Sequence, residues 1–419
     1  MGDRPMDDRT DNLSDLDRAR AQRILGAEEF DALVLFQPEA FRYAIGAPAG
    51  VATMWGRAGS AIAVVPSDAG SPLAVVVSDH AAGAVGKALP DADIRTHRIW
   101  IDSVGLGDEN DVAGVDAAYR RSGNTGPRPE TFDQDVCFRL LGDLLRERGL
   151  AKARIGVDLE FMPAADFLKL KAMLPEATWL DGSPALRRLR SVKTPAEITR
   201  LQRASRAAEA GLIRMREEIA PGVPLSALST AWLQGARSEA DGHGYALSGH
   251  WDYISVGPDL GDAGAIVAPG ALIKADVGTL VDGYSSDGAR TFCLGSPAPL
   301  ALDIYKALEN AFAAGLARVR PGNSFGAVHK AMLGSMRKDG FSEYYRGHFG
   351  HSVGGGVGIE EWPFFSHDSG EIIEPNMVVA LEAPFYAQGL GALMIEDQFL
   401  VTETGAECMN SLTRSLVSV

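Results

Sequence analysis

Short hydrophobic runs separated by amphipathic stretches characterise the first half of the chain. Such runs, bounded by turn-forming residues, predict buried strands. The four runs are "DALVLF" (31–36), "SAIAVVP" (60–66), "LAVVVS" (73–78) and "RIGVD" (154–158). Helical patterns such as 137–150 lie between them, and strands that alternate with helices indicate an α/β domain. The stretch 102–130 is rich in Gly, Asp and Asn, which predicts a long surface loop.

The pattern changes to a helical period near residue 190. Thr194 suits an N-cap, Pro195 the first helical position and Glu197 the third, which together are typical of a helix start. Apolar residues then recur on one helix face, at Ile198, Leu201, Ala204, Ala208 and Leu212. We place the domain boundary just before this helix, which predicts one domain over 1–191 and a second over 192–419.

The second half alternates predicted helices, at 226–240, 300–319 and 325–340, with two paired-strand segments, at 271–295 and 376–404. In the first pair, Asp282-Gly283 predicts a two-residue hairpin turn. Pairing about that turn places position 289 opposite Asp276, so Asp287 points to the same face as Asp276. The two carboxylates then lie roughly 7–8 Å apart at Cα and can share one cation. Two solvated strand acids are the alternative interpretation of this hairpin alone.

The second pair repeats the arrangement. Glu382 and Glu396 each follow an apolar run, and Gly389 and Gly391 supply the turn between them. An acid within an apolar strand is costly unless it is paired or bound to a metal. The domain therefore contains a weak duplication of a two-acid hairpin.

A glycine-rich segment, "YRGHFGHSVGGGVGIEEWPFF" (345–365), lies between the two hairpins. It can be interpreted as a phosphate-binding loop, a surface turn or one wall of a metal site. A phosphate loop requires GxxxxGK[ST], or GxGxxG between a strand and a helix, and neither is present. His351 instead follows one two-acid hairpin and precedes the other. Four acids in one cavity cannot all ionise without cations, and carboxylates with one imidazole suit two ions of Mn, Fe, Co or Zn.

Composition narrows the possible partners. The 419 residues carry a formal net charge of −15, which disfavours nucleic acid and anionic membrane surfaces. No apolar stretch approaches the roughly 18 residues of a membrane span, and the N-terminus lacks a signal-type apolar core. The three cysteines form no CxxC motif. These features predict a cytoplasmic protein.

The ordered set of Asp276, Asp287, His351, Glu382 and Glu396 resembles that of the pita-bread metallopeptidases. This superfamily includes methionine aminopeptidase, prolidase, aminopeptidase P and creatinase. The flanking segments "DVGTLVDGYSSDGARTF", "GHSVG", "ALEAPFY" and "MIEDQFLVTETG" carry the likeness, and "LRSVKTPAEI" and "DALVLFQPEAFRYAIG" resemble the prolidase and creatinase branch. The resemblance implies an α+β pita-bread catalytic domain, an N-terminal mixed α/β creatinase-type domain, a homodimer and a dinuclear centre held by the five residues.

Three positions depart from the family pattern. Gly264 lies near the place of one family histidine, Gly358 or Ile359 occupies the place of another, and Met394 replaces an arginine common in prolidase-like members. The missing histidines are thought to hold the peptide and the oxyanion, and losing one such donor typically costs about 100- to 1000-fold in rate. His348 and His250 are candidate replacements. Trp251 and Tyr253, beside His250, can shape a substrate pocket or form an aromatic core cluster.

The first functional hypothesis is a dinuclear metal-dependent hydrolase, most consistent with Mn, that cleaves an amide bond of an Xaa-Pro peptide or a small modified amino acid. Glu382 would act as general base and acid. An alternative keeps the site but acts on a small metabolite, as a creatinase-like hydrolase or a metal-dependent lyase. In the lyase, Glu360 or Glu361 is the candidate base, although both acids can equally be exposed. A third hypothesis is an inactive binding protein, which the cost of unused buried acids argues against.

Overall fold

The computed structural model describes residues 14–123 and 125–419, which form two compact units that meet in the chain between Leu189 and Arg190. Each unit has its own sheet and its own hydrophobic clusters. In the described part of the chain, no helix has both the length and the hydropathy needed to cross a bilayer.

The first unit is built on a six-stranded mixed sheet in the order β4-β3-β2-β1-β5-β6. Its strands are β1 (Ala32–Leu35), β2 (Ile62–Pro66), β3 (Ala74–Ser78), β4 (Asp93–His97), β5 (Arg154–Val157) and β6 (Thr178–Asp181). Its helices are α1 (Arg18–Ala27), α2 (Pro38–Ile45), α3 (Ala82–Ala88), α4 (Val112–Ser122), α5 (Gln134–Glu147), α6 (Ala164–Met173) and α7 (Ser183–Ser191). The β1–β2 and β2–β3 pairs are antiparallel, and the other pairs are parallel.

Helices cover both faces of this sheet. Along β1, Leu33 and Leu35 join a cluster that includes residues of α1, α2, α3 and α7, whereas Val34 joins the cluster that includes residues of α5 and α6. Side chains on alternate positions of a strand point to opposite faces, so a continuous apolar run is what a sheet buried on both faces requires. The α/β class predicted from the four apolar runs is confirmed.

One expectation for this unit was wrong. The stretch predicted as a long loop contains α4, which Asp111 caps by accepting a hydrogen bond from the Gly114 N–H at 2.7 Å. Among its described side chains, Ala118 is buried. Because α4 contributes so little to the core, its sequence lacks the apolar stripe by which helices are recognised.

The second unit places four helices against a ten-stranded sheet whose main path runs β12-β11-β13-β14-β10-β8-β7. The helices are α8 (Pro195–Glu217), α9 (Leu225–Gly242), α10 (Pro299–Leu316) and α11 (Phe325–Lys338). The strands are β7 (Gly249–Val256), β8 (Leu272–Val281), β9 (Tyr284–Ser285), β10 (Gly288–Cys293), β11 (His348–Ser352), β12 (Glu361–Ser366), β13 (Val378–Ala387), β14 (Gly391–Val401), β15 (Ala406–Cys408) and β16 (Val417–Ser418). The predicted start of α8 is confirmed, because Thr194 and Glu197 form a complete capping box.

The two predicted hairpins form the centre of this sheet. Ala289 of β10 pairs with Asp276 of β8, as the Asp282-Gly283 turn predicted, and the two turn residues have φ of 49° and 77°. Glu382 of β13 pairs directly with Glu396 of β14. Ala289 also pairs with Glu396, so one cross-strand row joins both hairpins.

Alternation along the strands separates the core from the site. Ala275 of β8 and Ala383 and Ile395 of the second hairpin belong to the clusters that contain the helical residues. The acids one position away therefore point to the opposite face of the sheet.

Candidate metal centre

Three of the predicted ligands converge closely. Asp287, His351 and Glu396 are buried, and one ligand atom from each lies within 4.8 Å of the others. His351 Nε2 is 3.4 Å from Asp287 Oδ2. The opposite ring nitrogen, Nδ1–H, donates to the Ser352 carbonyl oxygen at 2.9 Å, which fixes the tautomer and leaves Nε2 to face the acids.

The other two predicted ligands line the same cavity, and each contacts a basic side chain. Asp276 Oδ2 is 3.1 Å from Lys274 Nζ. Glu382 Oε2 accepts a hydrogen bond from Arg346 Nη2 at 2.8 Å. Its other oxygen, Oε1, lies 3.2 Å from His348 Nδ1. The Gly350 N–H donates to the same nitrogen at 3.3 Å.

Burial and mutual repulsion dominate the electrostatics of the acids. Burial raises the pKa of Asp276 to about 7 despite Lys274, and it raises the pKa of Asp287 and, far more, that of Glu396. Burial also opposes ionisation of Glu382, but His348 and Arg346 outweigh it and lower its pKa. Carboxyl groups in this situation gain most from a bound cation, which removes both penalties.

The carboxylate oxygens also show where a cation fits. Asp287 Oδ1, Glu382 Oε1 and Glu396 Oε2 are buried and have no hydrogen-bond partner among the described residues. Such oxygens are costly in a protein interior and are the ligands that hard divalent cations use. With the imidazole of His351, this donor set fits a divalent transition metal.

A cavity of about 340 Å³ opens over the centre. Its walls contain the five predicted ligands together with Trp251, Tyr253, Gly358, Ile359, Glu360 and Met394. This volume lies within the range of small-molecule sites. The three departures from the family pattern now have positions: Gly358, Ile359 and Met394 line the cavity, and Gly264 lies in the loop between β7 and β8.

The remaining candidates fall in different places. His348 lies beside Glu382, and its Nε2 is 3.5 Å from Glu360 Oε2. His250 is not among the residues that line the cavity, and its ring packs 6.2 Å from that of Trp232. Glu361 does not line the cavity either. Its Oε1 accepts hydrogen bonds from Arg190 Nη2 at 3.1 Å and from the Gly356 N–H at 2.6 Å.

Sequence reasoning missed two residues of the site. Lys274 stands two positions before Asp276 on β8, so the alternation that paired Asp276 with Asp287 also places Lys274 on the ligand face. Arg346 precedes β11, outside any regular pattern, and reaches Glu382 across 36 residues of sequence. No periodicity signal identifies a contact of that kind.

Comparison with known proteins agrees with this geometry. The model of metallopeptidase family M24 matches residues 199–403, and that of the creatinase/prolidase N-terminal domain matches residues 18–192. The Xaa-Pro dipeptidase of Lactobacillus helveticus is 26% identical over 305 residues, which cover 68% of this chain and 78% of that protein. The Xaa-Pro dipeptidase of Pyrococcus furiosus is 30% identical over 237 residues, which cover 55% of this chain and 66% of that protein.

Solved structures share the fold. The Xaa-Pro dipeptidase from Bacillus anthracis superposes with a TM-score of 0.75 at 18% identity, covering 96% of this chain and 99% of that one. The dipeptidase PepE from Mycobacterium ulcerans superposes with a TM-score of 0.74 at 24% identity, and the match covers 96% of each chain. The predicted α+β pita-bread domain with its mixed α/β N-terminal domain is confirmed. The chain belongs to metallopeptidase family M24 and is a metal-dependent hydrolase with a creatinase/prolidase N-terminal domain.

Proposed function

We propose that the chain is a dinuclear hydrolase that cleaves the amide bond before proline in short Xaa-Pro peptides. The observation that carries the proposal is the convergence of four acids and His351 on one cavity, where three buried carboxylate oxygens lack a hydrogen bond from any residue that the structure describes. Relatives named as Xaa-Pro dipeptidases support the choice of substrate.

The five predicted ligands would hold the ions, with Asp287, His351 and Glu396 as the most compact group. Bound divalent ions supply Lewis-acid chemistry, lowering the pKa of water and polarising a carbonyl group. His351 would contribute Nε2 as its ligand atom, because its other ring nitrogen donates to the Ser352 carbonyl oxygen.

Glu382 is the residue that we assign to proton transfer. Arg346 fixes the carboxylate through Oε2, and the carboxylate would take a proton from the attacking water and pass it to the leaving nitrogen. Trp251, Tyr253 and Ile359 give the cavity an apolar wall against which a proline ring can pack.

Several finer properties belong to the same proposal. Manganese is the preferred metal, with iron, cobalt or zinc as alternatives, because carboxylates outnumber nitrogen ligands. A homodimer follows from the likeness to the prolidase and creatinase branch. A reducing cytoplasm suits the three cysteines, which form no disulfide in the described part of the chain.

Metal analysis followed by peptide assays tests the proposal. We expect the purified protein, incubated with Mn²⁺, to bind two ions per chain and to hydrolyse Ala-Pro and Leu-Pro in preference to Ala-Ala. A folded, metal-loaded protein that hydrolyses none of these peptides would overturn the assignment of substrate. A folded protein that binds no transition metal would overturn the centre itself.

A second candidate function is supported by the residues that replace the family histidines. Gly358 and Ile359 line the cavity without offering a hydrogen-bonding side chain, which weakens oxyanion binding for a peptide. Glu360, on the same wall and 3.5 Å from His348, would be the base of this reaction, and Glu361, the other candidate, does not line the cavity. Turnover of a panel of small amides and modified amino acids, creatine included, without turnover of dipeptides would favour this alternative.

A further inference from the structure

Lys274 is a buried basic residue on the same face of β8 as Asp276. We propose that it is a substrate-binding residue, whose ammonium group receives the free terminal carboxylate of the peptide. This inference rests on the proposed function, since it takes the reacting amide to lie over the five ligands.

The sheet register brings Lys274 to the cavity. Lys274 pairs with Thr291 on β10, and the Thr291 hydroxyl donates to the Met394 carbonyl oxygen at 3.1 Å and accepts the Met394 N–H at 2.8 Å. Lys274, Thr291 and Met394 thus form a row beside that of Asp276, Ala289 and Glu396, on the same face. Met394 lines the cavity, so the row of Lys274 borders the space over the ligands.

The ammonium group is buried but poorly satisfied. The Lys274 side chain is 6% exposed, and its one hydrogen bond among the described residues is to Asp276 Oδ2, at 3.1 Å. An ammonium has three donors, so two N–H groups lack an acceptor. The Tyr386 ring, whose centroid is 5.9 Å from Nζ, offers a weaker cation–π contact. Buried donors without acceptors are costly, and an anionic ligand would satisfy them.

Arg346, the other basic side chain beside the ligands, differs from Lys274 in exposure. It donates to Glu382 Oε2 and to the His348 carbonyl oxygen, and its side chain is 24% exposed, so water can satisfy its remaining N–H groups. The Lys274 side chain is 6% exposed, so a ligand in the cavity is the better acceptor for its donors.

The length of a dipeptide matches this arrangement. Its terminal carboxylate follows the scissile carbonyl by one residue, which spans about 3.8 Å between Cα atoms. Lys274 lies two residues from Asp276 along β8, roughly 6.6 Å at the usual strand rise, and its long stem bends back toward that ligand.

Calorimetric binding of proline and of prolinamide, two product-sized probes that differ at the carboxylate, tests the inference without turnover. We expect the Mn-loaded protein to bind proline about 10- to 100-fold more tightly than prolinamide, the range of a charge-assisted hydrogen bond. Lys274→Met and Lys274→Gln should both remove this preference, whereas Lys274→Arg should retain it. Lys306→Met, at an exposed position of α10, is the matched control and should behave as the wild type. Bound metal is measured in each variant.

The outcomes separate this inference from the proposed function. Equal binding of the two probes by the wild type, no binding of proline, or a preference that persists in both neutral variants would overturn the role of Lys274. If the preference is lost in the neutral variants but the wild type hydrolyses no Xaa-Pro peptide, the role of Lys274 stands and the assigned reaction fails. The converse result is that the wild type hydrolyses Xaa-Pro peptides and their C-terminal amides equally well. In that case the reaction stands and the role of Lys274 fails.

Discussion

Glu382 and Glu360 line the same cavity but differ in burial and in their contacts. Glu382 is buried and contacts Arg346 and His348, whereas the side chain of Glu360 is 51% exposed. A buried carboxylate is suited to transfer a proton within the site, because bulk water does not compete for its oxygens. An exposed carboxylate keeps its hydration and can change without cost to the centre.

The substitution Glu382→Gln should therefore lower kcat about 100- to 10,000-fold, the usual contribution of a general acid–base. Glu360→Gln, its matched control, should change kcat less than about threefold. Steady-state kinetics with Ala-Pro and the metal content of each variant are measured together. A loss in Glu360→Gln as large as that in Glu382→Gln would favour the lyase or small-metabolite alternative.

His348 and His250 form a second matched pair. His348 contacts Glu382, whereas His250 packs against Trp232 outside the cavity lining. We expect His348→Gln to reduce kcat/KM by roughly 10- to 100-fold, as residues that support metal ligands do, and His250→Gln to leave it within about twofold of the wild type. Equal losses in both variants, with folding intact by circular dichroism, would contradict this assignment.

Among the elements, the glycine-rich turn between β11 and β12 is shaped by Glu361. This carboxylate accepts the Gly356 N–H and pairs with Arg190, while Lys193 Nζ lies 3.8 Å from its second oxygen. Gly358 and Ile359, from the same turn, form one wall of the cavity. Glu361 thus has the contacts of a residue that positions this wall, and its predicted role as a base remains a prediction.

Glu361→Gln should destabilise the second unit by about 1–3 kcal/mol, because the buried ammonium of Lys193 and the partly buried guanidinium of Arg190 lose their charge partner. Urea unfolding followed by circular dichroism measures the loss, and amide exchange in residues 353–360 should accelerate in the same variant. A catalytic base predicts the reverse result: unchanged stability and exchange, with a lower kcat.

The strands that carry the ligands were predictable because two local rules agree. The Asp282-Gly283 turn fixes the register of the first hairpin, and strand alternation then assigns Asp276 and Asp287 to one face. The same alternation also places Lys274 on the ligand face. A search limited to acids and histidines does not find this residue. The contacts of Arg346 and the Arg190–Glu361 pair could not be predicted. They join segments that are distant in sequence, and no hydrophobic periodicity relates those segments. The helix α4 was missed because it buries too little to leave an apolar pattern.

For the chain as a whole, the two units should respond differently to removal of metal. The acids of the centre lie on β8, β13 and β14 or just before β10, so repulsion among them in the absence of cations strains the second unit. Ligand that binds the folded state stabilises it by mass action, by about 2.7 kcal/mol at 100 times the dissociation constant. We therefore expect chelation to lower exchange protection in those strands and to leave β1–β6 unchanged. Equal loss of protection in both units would contradict this local effect.

The first unit should instead respond to acid, through Asp166. Its side chain is fully buried on α6, and the guanidinium of Arg57 and the Ala58 N–H, at 2.9 Å, donate to it. Burial favours the neutral acid, but the bonds to Arg57, Gln134 and Ala58 outweigh it and lower the pKa of Asp166. An unfolded chain binds this proton at a higher pH, near 3.9, so the carboxylate stabilises the fold above that pH and stops doing so as the pH falls through the lower folded value.

Asp166→Asn should consequently destabilise the first unit by about 1–3 kcal/mol at pH 7, the range for a hydrogen bond to a charged group. The difference between the variant and the wild type should shrink as the pH falls below about 4. Exchange protection of β1–β6 in the full chain, compared at matched pH, measures it. Asp135→Asn is the matched control, because that carboxylate is half exposed and pairs with Lys169; its effect should stay below about 1 kcal/mol. A deficit in Asp166→Asn that is constant from pH 3 to pH 7 would show that packing, and not charge, accounts for the contribution of Asp166.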